Sequence, residues 1–425
     1  MKKMLSVFIL MTLALIAYCY YPFYQTPEIR FRYSLRGDLG QALEEIVNDF
    51  NRDHPQYKVV LEYGGSYTDS FVKTCQEKRS QRPQLLMVAE FNTVTLKKQE
   101  KDYIPLCHLI DINTSDFVPV VKESCTFRDK DGKKILHSLP FNCSTAILYY
   151  NRDIFKKVGL PDRAPETWEE MEQYAKKLKD SGYTAFTTTW PAAYLLEHFS
   201  VTHDIPYATQ KNGYEGDNPK LLLNTKPFVE QLEHFADWQK KGFYIYGTRN
   251  VETAEDKFIK QECAMLLQGQ HRLVFLKDKG GFDVGVGTYP YWKKLTPKGP
   301  YALNIGGTSI WALREQPSLE GTKAFLTYLA SEKIQTFWHK RTGYLPITLP
   351  AYEKTKTSSF YGTNPAAYMA VKQVIERQNQ NLPNGIHIQN YANLRDKVMD
   401  AIEDVLLKDK PAQETLDKLV ADQSH

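Results

Sequence analysis

Cysteine is scarce in this 425-residue chain, with six in all, and no two are spaced as Cys-x-x-Cys. That argues against a zinc ribbon and against thioredoxin-like chemistry. Charge of one sign is lacking too: 54 basic and 50 acidic residues leave a net +4, with no basic run of five. So balanced a chain is not built to bind nucleic acid. After the N-terminus, no apolar stretch approaches the roughly 20 residues of a membrane-spanning helix. The Gly-x-Ser-x-Gly elbow, the His-Glu-x-x-His zinc helix and the Gly-x4-Gly-Lys-[Ser/Thr] phosphate loop are all missing. Gly285-Val286-Gly287 opens like a dinucleotide loop but lacks the third glycine and the helix after it. Internal repeats and low-complexity segments are absent as well. These absences favour a binding protein, although a hydrolase using two carboxylates far apart in sequence would leave no motif.

What is present is a globular composition, 42% hydrophobic and 24% charged, long enough for two or three domains. Aromatic residues are abundant at 13%. Most are expected in the core, and some as platforms on which sugar-like ligands stack. Lys2 and Lys3 precede an uncharged apolar run from Leu5 to Ala17, the pattern of a secretory signal. Residues 1–25 therefore read as a signal peptide or N-terminal anchor, and the protein as exported to the periplasm. Cys19 stands where a lipoprotein cysteine would, though Tyr18 is bulkier than the residue such peptidases accept before the cut. A cleaved soluble form, an anchor and a lipid on Cys19 all stay open. Export permits disulfides; Cys107 with Cys125 is the candidate pair, and the other cysteines are expected as small buried residues.

Periodicity predicts strand, helix, strand, helix, strand over the first ninety residues. Arg30 to Leu35 alternates; Leu43, Ile46, Val47 and Phe50 recur at helical spacing; His54-Pro55 ends that helix. Tyr57 to Tyr63 and Gln84 to Val88 are the next strands, around a helix from Thr68. This is the order of a parallel α/β sheet with right-handed crossovers. Asp129-Lys130-Asp131-Gly132 reads as a hairpin turn between Phe127 and the run Ile135 to Phe141, since lysines occupy the positions where a calcium loop needs oxygens. No metal site and no cofactor is expected. Thr167 caps a helix reaching Gly182. Further helices are expected at 227–241, 253–260, 318–331, 332–340, 364–378, 395–408 and 412–421, and strands at 264–267, 282–287 and 309–313.

Polar and aromatic residues at element ends are the candidate ligand contacts. Tyr67 follows Gly64-Gly65-Ser66 at a strand-to-helix junction, where free amides favour anions. Glu90 lies just beyond the carboxyl end of a strand, where open α/β sheets bind ligands. Asn142-Cys143-Ser144-Thr145 interrupts two strand-like runs, and Gly306-Gly307-Thr308 stands ahead of another.

The run Leu148 to Pro161 (Leu-Tyr-Tyr-Asn-Arg-Asp-Ile-Phe-Lys-Lys-Val-Gly-Leu-Pro), followed by Thr167-Trp168, resembles the signature of family 1 extracellular solute-binding proteins. These are the ligand-capturing subunits of bacterial ABC importers, and the resemblance extends over residues 28–425. The segments Leu139 to Thr145, Ile305 to Trp311 and Trp338 to Thr348 are similar to the branch that captures sn-glycerol-3-phosphate. The resemblance implies an α/β, two-lobed periplasmic-binding-protein fold of type II, with the ligand cleft between the lobes. It implies a first lobe of residues 28–138 and 306–345 and a second of 139–305 and 346–425. It also implies a monomer that closes on its ligand by a hinge motion, is not an enzyme, and meets membrane permease subunits.

The same resemblance places Tyr67, Ser144, Gly307, Tyr344 and Arg395 on the phosphate, Glu90 on the glycerol hydroxyls and Trp190 beside the glycerol. Two positions depart from the family pattern. Gly269 stands in place of a serine, so that only its amide could serve, with Gln270 or Arg272 as compensating groups. Ala193, beside Tyr194, replaces a second tryptophan. The ligand implied is therefore sn-glycerol-3-phosphate or a glycerophosphodiester, with another sugar or oligosaccharide as the alternative. A secreted glycerophosphodiester hydrolase is the alternative of another class.

Overall fold

The computed structural model describes residue 26 and residues 28–423, apart from 315–317, 378–380 and 384. The signal or anchor segment 1–25, with Cys19, lies outside the described residues. Twelve strands are described: β1 (Glu28–Tyr33), β2 (Lys58–Tyr63), β3 (Leu85–Ala89), β4 (Tyr103–Ile104), β5 (Thr126–Arg128), β6 (Lys134–Leu136), β7 (Leu139–Ser144), β8 (Ala146–Asn151), β9 (Thr184–Thr188), β10 (Cys263–Gly269), β11 (Val284–Gly287) and β12 (Gly306–Leu313).

The first sheet runs β2-β1-β3-β12-β4, with β7 also paired to β12. β1 is parallel to β2 and β3, as the strand–helix alternation predicts, whereas β12 enters antiparallel from the far end of the sequence. Ile29 and Phe31 of β1 are buried on one face. The helix Gly37–Asp53 covers them with Leu43, Ile46, Val47 and Phe50, its one apolar stripe. Phe325 closes the layer with edge contacts to both Phe31 and Phe50.

The second sheet runs β11-β8-β10-β9. Its core is aromatic: Trp168 packs among Phe186, Phe235, Trp238, Tyr289 and Trp292. The aromatic surplus is thus spent mainly on packing. Of the six tryptophans only Trp190 is exposed. The two sheets with their helices form the two lobes.

Among the differences from the sequence reading, three bear on the site. The run Ile135 to Phe141 is not one strand: β6 closes the hairpin with β5, whereas β7 joins the first sheet, so the chain turns at His137-Ser138. That places Leu139–Ser144 beside β12, in the sheet of the first lobe. Gly306 and Gly307 lie inside β12 rather than ahead of it. The last long helix begins at Tyr391, a turn before the expected start, because Tyr391 is buried against Tyr207. All five described cysteines are free, Cys107 and Cys125 included; Cys125, Cys143 and Cys263 are buried.

The chain crosses between lobes at Thr145, between β7 and β8, again in 288–305, and a third time between the helices Glu332–Thr342 and Pro365–Val374. The first two crossings are tied. Thr145 N–H donates to Gln270 Oε1 (2.9 Å) and its hydroxyl to the Asn304 carbonyl (2.8 Å). Buried Gln373 accepts from Tyr289 N–H (2.9 Å), donates to the Ala146 carbonyl, and through its own carbonyl accepts from Leu303 N–H (2.9 Å). Replacing Gln373 by leucine strands two buried backbone groups, and each such group costs about 1–3 kcal/mol. Urea unfolding of Gln373→Leu is expected to show about 2–4 kcal/mol of lost stability.

Candidate functional site

The cleft between the lobes holds a cavity of about 650 Å³. Its first-lobe wall is built at strand ends. Ser66 caps the helix Tyr67–Gln76 by accepting from Asp69 N–H (3.1 Å), which fixes Tyr67 as the first helical residue just after β2. Glu90 opens the helix Glu90–Lys97 directly after β3. Asn142 donates to the Tyr67 hydroxyl (3.4 Å) and Ser144 ends β7. Tyr344 follows the helix Glu332–Thr342, whose His339 holds the Tyr344 carbonyl on one ring nitrogen and the Tyr361 hydroxyl on the other.

Gly307 is the position in this wall that only glycine fits. Its φ is +123°, and a Cβ would meet the Asn142 carbonyl oxygen at 2.0 Å. The register shift between Thr308 and Ser309 accompanies it, and its N–H donates to Glu90 Oε2 (3.1 Å).

The second-lobe wall centres on one guanidinium. Arg395, in the second turn of the helix Tyr391–Lys408, donates from Nε and Nη2 to Glu197 (2.8 and 2.7 Å). Its Nη1 reaches across the cleft to Glu90 Oε1 at 3.3 Å. The Tyr391 hydroxyl donates a third bond to Glu197 (2.8 Å). Glu197 comes from a helix spanning residues 191–202 whose middle, Ala192–Glu197, is wound as a π-helix. Such a turn re-aims side chains and is frequent at functional sites. The helix starts after Trp190, a tryptophan at φ +46° on the cavity rim.

Burial works against both charges of this pair, and their mutual attraction overcomes it. Glu197 is held below the ordinary glutamate value, and Arg395 well above the ordinary arginine value. Glu90 goes the other way. Although 36% of its side-chain surface opens to the cavity, desolvation by the surrounding protein raises its pKa, and Arg395 only partly offsets this. Burial also raises the phenols, Tyr344 to about 12 and Tyr67 and Tyr194 further, so all three remain neutral donors. His198 is lowered to about 4 by burial.

The other arginines on the wall are engaged as well. Arg272 lies on Glu255 (2.6 and 2.7 Å), Arg249 on Glu403 and Asp400, and exposed Arg36 on the Tyr63 hydroxyl. Among the described residues, no three His, Cys, Asp or Glu side chains converge to hold a metal ion, and no helix is long and apolar enough to cross a membrane.

The profile of the bacterial extracellular solute-binding proteins matches residues 33–336. The chain belongs to that family. The sn-glycerol-3-phosphate-binding periplasmic protein UgpB of Yersinia pestis bv. Antiqua (strain Antiqua) is 34% identical over 403 residues, 92% of this chain and 90% of the relative. UgpB of Escherichia coli O6:K15:H31 is 34% identical over 402 residues, with the same coverage. Among solved structures, UgpB of Mycobacterium tuberculosis in complex with glycerophosphocholine superposes with a TM-score of 0.72 at 17% identity, over 94% of this chain and 98% of that one. The maltose-maltodextrin binding protein of Alicyclobacillus acidocaldarius gives 0.70 at 16%, over 94% and 100%. These likenesses show the two-lobed α/β fold of periplasmic binding proteins.

In this solute-binding protein the cleft gathers seven of the eight residues singled out from the sequence: Tyr67, Glu90, Ser144, Trp190, Gly307, Tyr344 and Arg395. Gly269 is the exception. It is buried at the end of β10, off the cavity wall. Its amide donates to Gln268 Oε1 (2.7 Å) and its carbonyl accepts from Tyr149, so that amide is not offered to a ligand. Gln270 lies off the cavity lining, its Oε1 accepting from Thr145 N–H and its Nε2 without a partner among the described residues, and Arg272 is held by Glu255.

Glu197 and His271 are among the wall residues that the sequence reading missed. Glu197 left a trace, as the single acidic residue within the largely apolar stretch Pro191 to Val201. Because Glu197 is depressed, its contribution to stability is fully present above the unfolded-state value of about 4.3 and is lost as pH falls through its lower folded value. Glu197→Gln is expected to cost about 3 kcal/mol at pH 7, with the deficit closing below about pH 4 in urea titrations at both pH values.

Proposed function

We propose that this solute-binding protein captures sn-glycerol-3-phosphate, or a glycerophosphodiester, in the periplasm and hands it to the membrane permease subunits of an ABC importer. The observation that carries the reading is Arg395, a largely buried guanidinium on the cleft cavity, whose lining also carries the neutral donors Tyr67, Tyr344 and Ser144. A guanidinium forks onto a phosphate, and hydroxyls complete the cage without adding charge. The names of the relatives at 34% identity agree with this chemistry.

Glu90 stands beside that cage as an acceptor for the polyol hydroxyls, and Trp190 offers a ring face at the rim. Glu90 accepts from Gly307 N–H and Arg395 Nη1, two donors that a phosphate would use. Binding therefore exchanges an internal carboxylate for the phosphate and frees Glu90 for the hydroxyls. A lobe rotation about Thr145 and the 288–305 connection would seal the ligand, as in other hinge-closing receptors. The role is capture and delivery by a monomer, with no covalent step.

Calorimetric titration with sn-glycerol-3-phosphate, glycerophosphocholine and maltose tests the ligand class. Micromolar or tighter binding of a phosphate compound and none of maltose is expected, and a protein that binds only maltose would refute the reading. Arg395→Ala is expected to lose about 2–5 kcal/mol of phosphate affinity, because it leaves a buried charge unpaired. A loss under about 0.5 kcal/mol would take Arg395 out of the site.

A further inference from the structure

Gly269 leaves a space, and the structure shows what fills it. A Cβ built on Gly269 would meet His271 Cε1 at 2.8 Å and Nδ1 at 2.9 Å, so the imidazole stands where a short side chain at 269 would project. The Tyr194 hydroxyl is the next neighbour at 3.9 Å. The ring stacks on Tyr344 with centroids 4.9 Å apart and planes 21° from parallel, and it lines the cleft cavity. Its Nδ1 is buried and meets no hydrogen-bond partner among the described residues. The Nδ1–Cε1 edge faces Gly269, so Nε2 is the ring nitrogen left to the cavity that the imidazole lines.

We propose that His271 is a ligand-contacting, specificity-determining residue of the cleft, its ring filling the place left by Gly269 and offering Nε2–H to the phosphate oxygens beside Tyr344. The proposal rests on the phosphate-ligand reading above and adds to it a donor that neither the sequence motifs nor the Arg395 cluster contains.

The surroundings favour an uncharged ring. Burial, and then the neighbouring Arg272 charge, lower its pKa to about 3. Arg272 itself is held by Glu255 and lies 3.8 Å over the Phe275 ring. Tyr344, Tyr194 and Tyr149 around the ring are phenols raised by burial. The helix Pro365–Val374 packs on the 270–272 turn and carries only Tyr368 and Lys372 as titratable groups, both exposed. His271 thus adds a hydrogen-bond donor to the cage without adding a fixed cation.

The test is a set of titrations with sn-glycerol-3-phosphate, each variant first checked for an unchanged melting temperature. His271→Ala is expected to weaken binding about tenfold, the loss of one hydrogen bond. His271→Gln, which keeps an N–H donor, is expected to recover part of the loss. The double variant Gly269→Ser with His271→Ala is expected to recover at least about threefold over His271→Ala, since the serine hydroxyl enters the vacated space. Gly269→Ser alone meets the ring and gains nothing.

Binding by His271→Ala within about twofold of the parent overturns the assignment, as does a loss that neither glutamine nor the serine double variant relieves. Should His271→Ala not fold, the ring-nitrogen resonance of His271 in the parent decides: a shift on adding ligand is expected, and no shift overturns the proposal. A parent protein silent toward both sn-glycerol-3-phosphate and glycerophosphocholine overturns the ligand reading and this assignment with it. Binding by the parent without an effect at His271 overturns the assignment alone.

Discussion

A guanidinium removed from water must be neutralised where it stands, and much of the cleft is arranged around that requirement. Arg395 has Glu197 on its own lobe and Glu90 across the gap. Neither carboxylate would be tolerable there alone. The π-wound helix is what brings Glu197 to the guanidinium, and the burial of Tyr391 extends the Arg395 helix by a turn and supplies the hydroxyl that completes Glu197. Buried ion pairs contribute little net stability, since desolvation offsets most of the attraction, whereas losing one partner is expensive. The cluster is therefore better understood as a device for geometry. It holds a rigid fork facing the cavity, and its weaker third contact spans the lobes.

The crossing segments serve the same end. A single residue, Thr145, separates β7 in one sheet from β8 in the other, and its two hydrogen bonds reach the neighbouring strand exit and the return connection. Gln373 binds the same segments from outside the sheets.

Much of the architecture was legible because its signals are local. Helical spacing in Gly37–Asp53, the cap at Thr167 and the parallel start of the first sheet follow from periodicity and turn chemistry. Part of the site was legible from turn chemistry, since Tyr67, Glu90 and Ser144 lie at element ends, whereas Trp190, Tyr344 and Arg395 were reached only through the family resemblance. What escaped depends on distant packing. The split between β6 and β7 is set by which sheet claims each half, and β12 absorbs its glycines because β7 pairs alongside. Glu197 required a π-turn that no spacing rule anticipates. Gly269 was misjudged since equivalence of position says nothing of where an amide points, and the neighbouring ring that fills its space is visible only in three dimensions.

The protonation pattern of the cleft has a consequence for the setting in which such a receptor works. Beyond the cytoplasm there is no metabolic buffer, and the acidity around the protein follows that of the medium. The imidazoles of His198 and His271 are pushed to about 4 and about 3, while the Tyr344 phenol is pushed to about 12 and those of Tyr67 and Tyr194 are raised beyond it. Through mildly acid and mildly alkaline surroundings these groups keep one ionisation state and present the same donors and ring faces. By burying these rings, the cleft keeps their donors and faces in one state, and Glu90, raised by desolvation, is the wall group whose value moves toward that range.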